Sequence, residues 1–120
     1  MLDTIAEKAR ELGRLLGQTS EYQALDRAKL GLANDRALNT LLRRLGELEN
    51  QLAGSLERGE RPGEELRADY ERAFSELQAS PVYQALVAAQ ANFERVLGRV
   101  NDEMAQGMEA GARSRIILPS

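Results

Sequence analysis

Apolar residues along this chain recur in steps of three and four, the spacing that lines one face of a helix. Leu2, Ile5, Ala9, Leu12 and Leu16 share a face, and Gly17 follows as a stop, which predicts a first helix over about 2–16. Ser20-Glu21-Tyr22-Gln23 reads as a capping box with Ser20 as the cap. A second helix follows with Tyr22, Leu25, Ala28 and Leu32 on its apolar side, ending near Ala33-Asn34. Asp35 suits the cap of a third helix, whose seam Leu38, Leu41, Leu45, Leu48 and Leu52 is widened by Leu42 and Leu56. Gly59, Pro62 and Gly63 mark the clearest turn in the chain. A fourth helix should start between Pro62 and Glu64 and carry Leu66, Tyr70, Ala73 and Leu77, with Phe74 beside them, up to the break at Ala79-Ser80-Pro81. Ser80-Pro81 is a cap followed by proline at the first helical position, where its missing N–H costs nothing. From there Val82, Leu86, Ala89, Phe93, Val96, Val100 and Met104 form a near-heptad seam to about Met108, a helix of roughly 45 Å at about 1.5 Å per residue.

The predicted architecture is all-α: about five helices, with a long antiparallel hairpin around the Gly59 turn and a long C-terminal helix in a bundle-like arrangement that dimerises through helices. Residues 1–111 form a single helical domain, and 112–120 form a C-terminal tail. That tail ends in Ile116-Ile117-Leu118-Pro119; it either lies loosely against its own domain, or is disordered, or offers a short strand-like anchor to a partner. Glycines inside the predicted helices, at Gly13, Gly46, Gly54, Gly98 and Gly107, each cost roughly 1 kcal/mol relative to alanine, so these helices depend on packing. The last helix also outruns its predicted neighbours. Its seam at Phe93, Val96, Val100 and Met104 is therefore the expected self-association surface.

Composition narrows the function classes. The chain has 120 residues, of which 42% are hydrophobic and 29% charged, so it holds one modest core and no membrane-length apolar run. The acids among the first residues do not fit a secretory signal, and there is no cysteine; both suit a cytoplasmic protein. There is also no histidine, which removes the usual zinc sites and most nucleophile–base pairs. The net charge of −3, with signs interspersed, does not predict direct nucleic-acid binding. The acidic pairs Glu47/Glu49, Glu64/Glu65 and Asp102/Glu103 read as solvated helix faces, and no catalytic, cofactor-binding or metal-binding residue is assigned. Arg43-Arg44 and the Arg113/Arg115 pair are the basic clusters along the sequence; whether they touch RNA is left open.

Several of these features occur together in one family. The run Ser20 to Leu25, Asp35 opening a Leu-rich helix, the turn at Gly59, Glu64-Glu65, Ser80-Pro81-Val82, and a last helix with Phe93 and Val100 together resemble the YlbF/YmcA family of small helical bacterial regulators, including its YheA-like members. The resemblance covers about residues 2–105. It implies a non-enzymatic, dimeric or higher oligomeric protein that regulates competence, sporulation or biofilm formation. It further implies a protein partner, a family paralogue or a ribonuclease Y-type RNA-processing assembly. The alternatives are a secreted helical-hairpin protein, which lacks here the Trp-x-Gly turn of that class, and a metal-dependent enzyme built on carboxylates.

Overall fold

The structure is a computed structural model that describes residues 1–117, with side-chain surroundings through Ser114. It contains five helices: α1 (Leu2–Gly17), α2 (Ser20–Ala33), α3 (Arg36–Glu57), α4 (Glu64–Ala79) and α5 (Pro81–Ile117). The all-α reading holds, and helix boundaries through Pro81 fall within a residue or two of the sequence pattern.

Most boundaries have a visible cause. Asp35 accepts the backbone N–H of Leu38 at 3.0 Å and caps α3 as expected. Ser80 does the same for Tyr83 at 3.2 Å, just ahead of Pro81. The α3–α4 turn closes through Gly59, whose φ of +69° lies in the left-handed region that glycine enters without a side-chain clash. The cap of α2 differs from expectation. Thr19, not Ser20, accepts the Tyr22 N–H at 3.1 Å. Ser20 is the first helical residue, and its hydroxyl donates to the Glu21 carboxylate at 3.0 Å, so the predicted Ser20–Gln23 box does not form. Thr19 wins because its hydroxyl also donates to the Leu16 carbonyl at 2.6 Å, tying the end of α1 to the start of α2. A second difference lies at the C-terminus. The helix runs through Gly107 and Gly111 to Ile117, so residues 112–117 are helical, continuous with α5, and not a strand; 118–120 lie outside the described residues.

Two small cores organise the packing. Helices α3 and α4 form the antiparallel hairpin, burying Leu38, Leu45, Leu48, Ala73 and Leu77, with Tyr70 and Leu66 packed beside them. Its outer face carries the Arg44–Asp69 and Arg72–Asp69 ion pairs at 3.8 and 3.1 Å. The second core joins α2 to the first half of α5 through Leu25, Leu86 and Ala89. Tyr22 meets Phe93 edge to face, with ring centroids 5.3 Å apart, which fixes α2 antiparallel to α5. Leu32 packs against both cores. At the same corner Asn39 donates to the carbonyls of Leu32 and Asp35, at 2.8 and 2.9 Å, and locks α2 to α3.

The result is long and thin, 71 × 37 × 21 Å. Its radius of gyration is 22.2 Å, against about 14 Å for a compact chain of this length.

Candidate functional site

Helix α1 is the least partnered element. Its sequence is as amphipathic as that of α3, yet none of its residues is buried. It touches α2 at the Thr19 corner and then leans away from α5, leaving an open apolar groove of about 440 Å³. Ile5, Ala9, Leu12 and Leu16 line one side, and Met104 is the single contribution from α5. Ile5 is 56% exposed and Met104 47%, and beyond them Met108 is 70% exposed. Large apolar side chains exposed as a contiguous strip mark a contact surface rather than scatter.

The four residues expected to mediate self-association separate in the fold. Phe93 is half-buried against Tyr22 of its own chain. Val96 and Val100 are half-buried and line a groove beside α2. Met104 alone reaches the apolar groove under α1. The basic clusters separate as well. Arg44 pairs across the hairpin with Asp69, while Arg43 is exposed; Arg113 pairs with Glu109 at 3.5 Å, and the side chain of Arg115 is not among those described.

Sequence reading missed a third basic group. Arg27 on α2 and Arg95 and Arg99 on α5 converge on one groove, together with Ser20, Asn92 and Glu21. Arg27 and Arg95 stand 68 positions apart (95 − 27), so no local run betrays them. The only available signal was indirect: α2 and α5 share apolar faces that pair antiparallel, which brings their N-terminal and middle turns together.

Among the described residues no three acidic side chains converge in a way that could hold a metal ion. Every buried side-chain nitrogen or oxygen there has a hydrogen-bond partner. No described helix is long and apolar enough to cross a membrane.

Fold and faces together define an elongated all-helical protein with one apolar and one basic groove left open. The chain belongs to the family described as control of competence regulator ComK, YlbF/YmcA, which it matches over residues 5–109. It is thus a member of a family of regulatory proteins, and the match takes in all of α2, α3 and α4 and most of α1 and α5. No curated protein matches the chain.

Proposed function

We propose that this chain is a non-enzymatic cytoplasmic regulator that works by protein–protein contact, pairing with a second copy of itself and acting on an RNA-processing assembly of the ribonuclease Y type. The observation that carries this reading is the unclosed face of α1. Its Ile5, Ala9, Leu12 and Leu16 stripe has the spacing of a core and faces a groove that its own chain does not fill.

Area supports a second copy as the occupant. The chain exposes 9540 Å², whereas a compact monomer of 13.3 kDa exposes about 6,500 Å². The excess, roughly 3,000 Å² per chain, is more than the roughly 1,000–2,500 Å² that each partner of an obligate homodimer buries. Two α1 helices and the distal turns of two α5 helices, around Met104 and Met108 in each, would make a four-helix bundle with the Leu12 and Met104 strips inside. The regulatory character of the family supports the remainder of the reading, and the ribonuclease link rests on family resemblance alone.

Sedimentation equilibrium of the purified chain at micromolar concentration tests the first part, and a dimer or higher species is expected. Affinity purification of the tagged chain from its native cell, with mass spectrometry, tests the second. Recovery of ribonuclease Y or of a family paralogue is the expected result, and recovery of the chain alone removes the ribonuclease link.

A further inference from the structure

We propose that the groove between α2 and the middle of α5 is a docking site for a partner protein's amphipathic helix that carries carboxylates about one turn apart. The inference rests on the reading that this chain works by protein contact, and it concerns a different face from the one assigned to the second copy.

Three arginines carry it. Arg95 and Arg99 stand one turn apart on α5, a spacing at which like charges repel, and Arg27 faces them from α2. Among the described residues no carboxylate lies within ion-pair distance of any of the three; Arg10, Arg14, Arg36, Arg43, Arg61 and Arg67 share that state, and what sets these three apart is that all of them line one groove. Arg95 donates to the side-chain oxygen of Asn92, which leaves most of its donors free. In a chain of net charge −3 this is a local inversion of sign. Guanidinium groups held without partners at helical spacing are complementary to carboxylates at helical spacing.

The floor of the groove decides the kind of ligand. Ala24, Val96 and Val100 form it, and the volume, about 710 Å³, is open along its length. It continues past Ala28 and Ala85 to Val82. From Val100 to Val82 is about 27 Å along α5, five turns of a docked helix. A helix laid in such a groove places its apolar stripe on the floor and its acids on the arginine rim. A nucleic-acid strand would use the arginines but leave the apolar floor of Ala24, Val96 and Val100 uncovered.

The test uses the full chain and fluorescence anisotropy. The probe is a short fluorescein-labelled helical peptide with glutamates at i and i+4 beside an Ala/Leu stripe; its scrambled isomer and labelled oligouridine are the comparisons. Saturable binding of the helical peptide is expected, weakening with salt and falling at least about tenfold in the Arg95→Ala/Arg99→Ala variant. Ala24→Gln fills the floor without changing charge and should weaken binding too, while Arg43→Ala, outside the groove, should not. Equal binding of the scrambled peptide overturns the proposal, as does wild-type binding by both groove variants. Preferential binding of oligouridine that these variants abolish overturns it in favour of a nucleic-acid surface. Sedimentation of the same samples separates the two readings. A double variant that turns from dimer to monomer assigns the groove to the self-interface and ends this proposal alone. A native chain that is monomeric yet binds the helical peptide ends the self-association reading alone.

Discussion

The α3–α4 hairpin and the α1–distal α5 region are written in the same hydrophobic code and end in opposite states. In the hairpin, Leu38, Leu45 and Leu48 find Ala73 and Leu77 across a six-residue turn segment and bury to about 4–5% exposure. In α1, Leu12 and Leu16 are half-buried, and Ile5 and Ala9 are exposed. The distal turns of α5, which run beside α1, expose Met104 and Met108. The difference is one of connection. The turn at Gly59 returns the chain antiparallel and brings a complementary stripe within reach, whereas beyond the Thr19 corner α1 meets only Met104 of α5 across an open groove and none of its residues is buried. Helical periodicity therefore states that a face will be covered and leaves open by which molecule.

The strongest way to break the comparison is to cut a large side chain from each side. Leu45→Ala should cost about 2–5 kcal/mol, because a nearly enclosed site leaves a cavity, and urea denaturation reads it directly. Leu12→Asp is the counterpart in α1. It should leave the helical content of a dilute sample close to the native value and shift the sedimenting species from dimer to monomer; an unchanged dimer would show that α1 is not the interface. Asp35→Ala tests a cap inside the closed region and should cost about 1 kcal/mol by the same urea measurement. The smallest effect belongs to Arg44→Ala. The Arg44–Asp69 pair is 3.8 Å long with Arg44 57% exposed, and exposed pairs of this kind contribute about 0.2–1 kcal/mol.

Much of this was legible in the chain. The helix starts at Asp35 and Ser80 could be read because a short polar side chain three residues before an apolar one performs a local task, accepting a single backbone N–H. The cap of α2 was ambiguous because Thr19 and Ser20 are adjacent and both competent; the Leu16 carbonyl, which Thr19 alone engages, decides between them. A cue was present, since Tyr22-Gln23-Ala24-Leu25 repeats as Tyr83-Gln84-Ala85-Leu86 and sets Thr19 in register with the capping Ser80. The helical run past Met108 and through Gly111 was not legible, because glycine is a stop signal by propensity and nothing local marks Gly111 as interior. The arginine groove was beyond local reading altogether. Arg27, Arg95 and Arg99 lie on three separate turns of two helices, and only the pairing of α2 with α5, through Leu25 against Leu86 and Ala89, brings them together.

The same pairing sets an order on how the molecule comes into being. Leu25 and Leu86 stand 61 residues apart (86 − 25), and the whole α3–α4 hairpin lies between them. Chains leave the ribosome at about 5–20 residues per second and close nearby contacts first. The hairpin can therefore be complete while Leu25 and Ala28 still wait for their partner. The finished hairpin then shortens the loop that α2 must close to reach α5. The arginine groove, with one wall on each of these helices, is accordingly among the last features to exist, and a chain interrupted before Arg95 would carry the regulator's closed core without its basic face.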